Sequence, residues 1–370
     1  MNEKWKNRIV TCTMALLLLF LSLSCYLKKP DDYSASERRE LSSLPALSFD
    51  TILSGTFMKE FETYAADQFP LRDSFRSLKT AVDLGVFCQL DSHQLYLEDG
   101  YLVKMEYPAD EQAINASVNH FLQLYRTYLS EKDGGIYFAV IPDKNYYLAK
   151  KHGALSMDYD RLIGDLEEQM SFAQFIDLTG VLSIEDYYRT DSHWRQERLP
   201  DTASLLLDAM GISIRTDYTL HTLDQPFYGV YSGQLPVLVN PDTLSYLTSP
   251  VLDACTVTGY ASLSPQKMEL YDLTKASGKD PYDLYLSGAQ PLLVIENPIR
   301  ENGRELILFR DSFGSSIAPL LAEGYAKITV VDTRYVSGSL LGELIDFEDQ
   351  DILFLYSTTM LNNGLAFRWQ

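Results

Sequence analysis

Residues 305–331 constrain this chain more than any other stretch. They open Glu-Leu-Ile-Leu-Phe-Arg-Asp-Ser-Phe-Gly-Ser-Ser-Ile-Ala-Pro-Leu-Leu-Ala-Glu-Gly, and a second apolar run, Ile328–Val331, follows at once. Leu306–Phe309 has the length and apolarity of a buried strand. Arg310-Asp311-Ser312 ends it abruptly, and Phe313-Gly314-Ser315 reads as a tight turn with a helix cap. Ser316–Ala322 then forms a helix closed at Gly324. Strand, sharp polar turn, helix and strand make half of a parallel α/β sheet. Ser312 falls at the carboxyl end of a strand, where open α/β sheets build their sites. Taken alone, an Asp-Ser at a strand end is an ordinary turn.

The same alternation runs back through the chain. Gly135–Ile141, Phe175–Leu178, Pro291–Ile295 and Ile352–Tyr356 read as strands. Glu111–Leu129, Tyr159–Met170 and Pro200–Met210 read as helices, the last capped by Gly211 and delayed by Pro200 to begin near Leu199. The pattern predicts a three-layer α/β/α domain over 96–370, interrupted by an insertion at about 212–290 that is rich in Tyr, Gly and Pro. Leu95-Tyr-Leu, Asp99-Gly100 and Tyr101-Leu-Val form a hairpin at its start. Residues 30–95 are a polar, helical stalk or docking segment, with helices over Asp50–Tyr64 and Asp73–Leu84.

Residues 9–27 carry no charge. Nineteen residues at about 1.5 Å each span roughly 28 Å, close to the core of a bilayer. Lys4, Lys6 and Arg8 precede the run, and Lys28-Lys29 follows it. Residues 1–29 are therefore expected to be an uncleaved signal anchor, N-terminus inside and the rest outside. Cleavage as a signal peptide is the rival reading, although no small-x-small site is present and Ser22-Leu23-Ser24-Cys25 is a poor lipoprotein box.

A formal net charge of −20 speaks against nucleic acid, which needs a basic face. The four cysteines, Cys12, Cys25, Cys88 and Cys255, form no CxxC or Cys/His group, so neither a zinc site nor any other cofactor is expected. Cys88 and Cys255 could pair, but no spacing favours it.

A serine hydroxyl needs a base to become a nucleophile, and a useful histidine base needs a carboxylate to hold its tautomer. Of the five histidines, two sit in the same tripeptide: Asp91-Ser92-His93 and Asp191-Ser192-His193. The first precedes the α/β alternation. The second lies inside it, within Tyr188-Arg-Thr-Asp-Ser-His-Trp194, which makes Asp191 and His193 the partners expected for Ser312.

Tyr188–Trp194 resembles the signature of the bacterial DHHW protein family, itself similar to the alginate O-acetylation proteins AlgX and AlgJ, with an SGNH-hydrolase-like domain. Ser36-Glu37-Arg38-Arg39 with Leu41 and Pro45, Gly55-Thr56-Phe57 and Asp67–Arg72 resemble its N-terminal pattern. Asp280–Tyr285 with Gly288, and Phe309–Gly314 with Ala318-Pro319, resemble its C-terminal one. There are departures: Ser192 replaces the first histidine, and Arg310 stands where the SGNH class usually has glycine.

The resemblance implies acyl transfer. Ser312 would attack an acetyl carbonyl, His193 would take its proton, Asp191 would orient His193, and the Ser312 backbone N–H would face the oxyanion. It further implies a glycan acceptor and a membrane-bound acyltransferase that supplies the acetyl group, for a protein of the bacterial cell membrane with its main domain outside. Asn297 and Lys144, each just after a strand, are expected on the same sheet edge as Ser312. Arg310 is a weaker candidate for the oxyanion site and Tyr228, in Tyr228-Gly-Val-Tyr231, for glycan contact. A glycan acetylesterase would use the same residues, and a non-catalytic envelope scaffold is a third reading.

Overall fold

The computed structural model describes residues 3–34, 36–261, 264–300, 303–364 and 367–369. The chain divides into two compact units, 1–92 with 232–238 and 93–231 with 239–370.

In the first unit, α1 (Glu3–Leu27) is one 25-residue helix with no buried residue, long and apolar enough to cross a membrane, a test that a signal sequence also passes. The helix expected over Asp50–Tyr64 is two helices. Ser48 caps α2 (Phe49–Leu53) by accepting from the Thr51 N–H, and Gly55, at φ 76°, separates it from α3 (Thr56–Asp67). After a turn at Pro70, α4 runs from Arg72 to Gly85. An ion network ties these pieces together. Asp67 accepts from both terminal nitrogens of Arg39, at 3.0 and 2.5 Å, and Glu37 pairs with Arg72 at 2.6 Å and Arg76 at 3.2 Å. The Arg39 hydrogen bonds hold the Asp67 carboxyl well below the usual carboxylate range, against the opposing effect of burial.

The second unit opens on the hairpin β1 (Leu95–Glu98) and β2 (Tyr101–Lys104). Asp99 and Gly100, at φ 50° and 81°, occupy the two left-handed positions its turn requires. The helix α5 (Glu111–Leu124) continues through a π turn at Tyr125–Leu129. Then come β3 (Ile136–Ile141), α6 (Lys144–His152), α7 (Tyr159–Gln169), β4 (Gln174–Ile176) and α8 (Pro200–Ala209). Pro200 takes the first helical position of α8, where its missing N–H costs nothing.

The ladder of β5 (Thr219–Phe227) and β6 (Asp242–Thr248) stands apart from the main sheet. The remaining strands are β7 (Thr256–Gly259), β8 (Gln266–Met268), β9 (Leu292–Glu296), β10 (Glu305–Arg310), β11 (Lys327–Val331) and β12 (Asp351–Ser357), with α9 (Gly314–Leu321) between β10 and β11. Among the described residues the main sheet has eight strands, in the order β8-β7-β9-β11-β10-β12-β3-β4.

From β11 through β10, β12 and β3 to β4 the pairing is parallel. β9 lies antiparallel to β11, and β7 and β8 continue antiparallel. The sheet is thus mixed, and residues 256–259 and 266–268 of the expected insertion belong to it.

Side chains alternate between two apolar clusters, as the two-residue period of a strand requires. Leu306, Leu308, Leu353 and Leu355 pack with Leu206 of α8 and Ile317 of α9. Ile307, Phe309, Ile352 and Phe354 pack with Phe121 of α5 and Leu166 of α7. Strands covered on both faces read as unbroken apolar runs, which is why they are visible in the sequence.

Candidate active site

β10 delivers its last residue, Arg310, to the carboxyl edge of the parallel strands, and Asp311-Ser312-Phe313 turns the chain into α9. Asp311 is 2% exposed and is consumed in making that turn. Its Oδ1 accepts from the Phe313 N–H at 3.0 Å, and its Oδ2 accepts from the Ser357 N–H at 2.8 Å and hydroxyl at 2.6 Å, so the serine turn is fastened to the end of β12. A Cβ on Gly314 would come within 2.6 Å of the Arg310 Cβ, so only glycine fits at this bend.

The loop Tyr188–Trp194 arrives from the other side. The Tyr188 N–H donates to the His193 carbonyl at 3.0 Å and closes the loop on itself. Asp242 receives the N–H groups of Arg189 and Thr190, at 2.9 and 2.8 Å, and the Thr190 hydroxyl at 2.6 Å. Trp194, fully buried, donates its indole N–H to the Phe313 carbonyl at 3.0 Å and to Ser316 Oγ at 2.8 Å.

These attachments bring three polar side chains into one line. His193 Nδ1 lies 2.6 Å from Asp191 Oδ1, and His193 Nε2 lies 2.7 Å from Ser312 Oγ. A carboxylate can only accept, so Nδ1 carries the proton and Nε2 is left to accept from the serine hydroxyl. Asp191 is almost fully buried, and its second oxygen accepts from the Val230 N–H at 2.8 Å. The imidazole stacks on Tyr282, with ring centroids 3.9 Å apart and planes within 10°. Tyr282 is held in turn by its hydroxyl, which donates to Ser316 Oγ at 2.8 Å.

Ser312 opens onto a cavity of about 170 Å³ lined also by Ser192, Lys104, Lys144, Tyr231 and Arg334. Lys144, the first residue of α6, is 3% exposed, and burial pushes its ammonium down to about 7 against the pull of Asp191, Asp242 and Asp143. Asp143, beside it, is pushed up to about 6 by burial, while hydroxyl donors on Thr358 and Tyr159 act the other way.

Of the residues singled out in the sequence, the structure brings Asp191, His193, Ser312 and Lys144 together. It does not bring the others. Asn297 follows β9, which runs against β11, so it sits at the opposite edge of the sheet from Ser312. Its side-chain amide donates to the Ala322 carbonyl at 2.7 Å. The expectation of a shared edge assumed that β9 is parallel. Arg310 has no exposed surface and is not among the residues lining the cavity: its guanidinium lies 3.5 Å from Asp332 and donates to the Asp311 carbonyl at 3.2 Å and the Gly288 carbonyl at 3.4 Å. Tyr228 is 52% exposed and does not line the cavity. Its neighbours matter instead: a Cβ on Gly229 would stand 2.3 Å from the Asp191 Cβ, so this glycine permits the close approach behind the carboxylate. Gly229 and Tyr282 are the residues the sequence reading missed. All four cysteines are free.

The fold is similar to solved structures. A DHHW family protein from Eubacterium siraeum superposes with a TM-score of 0.60 at 19% identity, over 74% of this chain and 92% of that one. PatB1 of Bacillus cereus superposes at 0.59 and 20%, over 72% and 96%, and its structure with a sulfonyl adduct at 0.57 and 21%, over 72% and 95%. This chain has the fold of a DHHW family protein. The likeness matches the resemblance carried by Tyr188–Trp194 and, at this identity, speaks for the fold alone. No family model matches the chain, and no curated protein sequence matches it.

Proposed function

We propose that this protein is a membrane-anchored, extracytoplasmic O-acetyltransferase. Its second unit would be a three-layer SGNH-hydrolase-like domain, set outside the membrane by α1 and a helical stalk. The observation that carries the reading is the hydrogen-bonded line from Asp191 through His193 to Ser312 at the carboxyl edge of the parallel strands. Activation of a serine by a positioned base needs this order of groups.

In the proposed first half-reaction, Ser312 Oγ attacks the acetyl carbonyl and its proton passes to His193 Nε2. Asp191 stabilises the imidazolium. The backbone N–H of Ser312 faces the developing oxyanion. The donor's leaving group departs with the proton from His193, and the acetyl group stays on Ser312. In the second half, a glycan hydroxyl gives its proton to His193 and attacks the acetyl-serine, which releases an acetylated sugar and restores Ser312. The acetyl group, the glycan acceptor and a membrane-bound acyltransferase as supplier follow from the resemblance of the motifs.

A sulfonyl fluoride tests the first step, since it captures serines activated by a base. Ser312 should be the residue modified in the full chain. His193→Ala should slow modification by about two to four orders of magnitude, the usual contribution of a general base. Equal modification of the two proteins would remove His193 from the chemistry.

A further inference from the structure

A buried lysine holds the loop that presents Asp191 and His193. Lys144 Nζ donates to the Tyr188 carbonyl at 3.0 Å and to the Arg189 carbonyl at 3.3 Å. Both acceptors are peptide carbonyls, at the two residues where the Tyr188–Trp194 loop begins. The Arg189 carbonyl also accepts from the Leu102 N–H at 2.8 Å. Asp242 accepts from the N–H groups of Arg189 and of Thr190, the next residue, so the start of the loop is clamped between an ammonium on its carbonyl side and a carboxylate on its amide side. Tyr231 completes the arrangement. Its ring centroid lies 5.0 Å from Nζ, and its N–H donates to the Thr190 carbonyl at 3.1 Å.

Burying an ammonium is costly, and packing alone would be served as well by methionine. An ammonium gains over a neutral donor when it makes charge-assisted bonds at fixed positions, about twice as strong as neutral ones. We propose that Lys144 is a positioning residue, whose ammonium holds the Tyr188 and Arg189 carbonyls so that His193 stays within hydrogen-bond reach of Ser312. The proposal rests on the reading of Ser312 as an activated nucleophile. Lys144 acts two steps away from the reacting atoms, through the backbone that carries the base. Because it also lines the cavity, the competing role is direct contact with the donor, and kinetics separates the two. A contact to the donor acts on binding, whereas a displaced base acts on the chemical step.

The test uses the full chain and p-nitrophenyl acetate as surrogate donor. Lys144→Met keeps the side-chain volume and removes the donors. It should lower the acylation rate constant at saturating ester, read from the first-turnover burst of p-nitrophenol, by about a hundredfold, the scale of a 1 Å misplacement of a catalytic group, with the ester concentration that half-saturates this step little changed. Lys144→Arg, which restores cationic donors, should recover most of the acylation rate. A raised half-saturating concentration at an unchanged acylation rate constant would make Lys144 a donor contact and overturn the positioning role. So would an unchanged acylation rate constant in a folded Lys144→Met protein. Lys144→Gln carries the same test if Lys144→Met does not fold.

A second readout does not depend on turnover. The His193 Nδ1 proton, shared with Asp191 at 2.6 Å, should give a far-downfield proton resonance in the unmodified chain. That resonance should move or vanish in Lys144→Met and persist in Lys144→Arg. If the unmodified chain shows the resonance but never reacts with an ester, the acyl-transfer reading fails while the positioning claim is still decided by the variants' spectra. A resonance identical in all three overturns it.

Discussion

The indole N–H of Trp194 donates to the carbonyl of Phe313 at 3.0 Å, and this bond joins the loop that carries the histidine to the turn that carries the serine. The two residues lie 119 positions apart. Whatever loosens the bond should loosen the 2.7 Å contact between His193 and Ser312 with it. Trp194→Phe keeps an aromatic ring but removes this donor, while the Phe313 carbonyl still accepts from the Ser316 hydroxyl at 3.3 Å. It should cost about 0.5–1.5 kcal/mol, the net worth of a hydrogen bond rather than the penalty for an unsatisfied group. Urea unfolding measures the loss, and sulfonylation of Ser312 should slow in the folded protein. Stability and labelling both unchanged would show that the junction is held by other contacts.

Tyr282 should matter through its ring more than its hydroxyl. The ring lies 3.9 Å from the imidazole and nearly parallel to it, which leaves His193 little freedom to turn. Tyr282→Phe keeps the stack and should retain most of the reactivity of Ser312. Tyr282→Ala frees the imidazole and should slow acylation by about ten- to a hundredfold, as expected for a misplaced base. Labelling rates of the two variants decide it, and equal losses would assign the effect to the hydroxyl on Ser316.

Gly229 is a space requirement. Its missing side chain leaves room for Asp191, whose Cβ, Cα and N all lie within 2.4 Å of where a Cβ would stand. Two of those atoms are backbone, so no rotamer change relieves the clash. Gly229→Ala should displace Asp191 and reduce Ser312 reactivity toward that of His193→Ala, while circular dichroism shows the fold retained. An alanine variant with normal reactivity would mean that the loop gives way without disturbing the carboxylate.

The ion network of the first unit predicts a pH dependence. Asp67 titrates well below an ordinary carboxylate because of its hydrogen bonds from Arg39. A depressed carboxyl contributes stability that is complete above its unfolded value, about 3.9, and is lost as the pH falls through the folded value. Asp67→Asn should therefore destabilise the unit at pH 7 by about 1–2 kcal/mol, a modest figure because Arg39 is partly solvent-exposed. The difference from the unmodified chain should shrink toward pH 3 and below. Hydrogen exchange of α3 and α4 across that range reports it, and a difference independent of pH would contradict the linkage.

Much of the arrangement around Ser312 is legible in the sequence, for identifiable reasons. Leu306–Phe309 is apolar at every position because the strand is covered on both faces, and Gly314 marks the bend after it. Asp191 and His193 are two residues apart, so one loop can present both groups, and proximity in sequence is proximity in space. What is not legible depends on direction or on distant partners. An apolar run does not say which way its strand points, and Asn297 falls on the edge opposite to the one a parallel strand would give it. Arg310 is a candidate for the oxyanion site because it stands where the SGNH class has glycine, but its buried partners are Asp332 and the carbonyls of Asp311 and Gly288. Tyr282 looks like any core aromatic until the fold sets it on His193. The break at Ser54-Gly55 is hidden in the sequence because Ile52, Phe57, Phe61 and Tyr64 keep a roughly helical spacing across it.

The most direct test of the central claim is the fate of Ser312 when the full chain meets a soluble acetyl ester, followed by peptide mapping with and without an added oligosaccharide. The account predicts acetyl on Ser312 in the unmodified chain and in His93→Ala, and none in His193→Ala. It predicts slow loss to water, and faster loss with acetyl appearing on the sugar once the acceptor is present, because a bound hydroxyl gains from proximity. Acetyl that leaves only to water, with acetylated sugar consumed and never formed, would make the protein an esterase. A folded chain that never acquires acetyl on Ser312 would contradict the account outright.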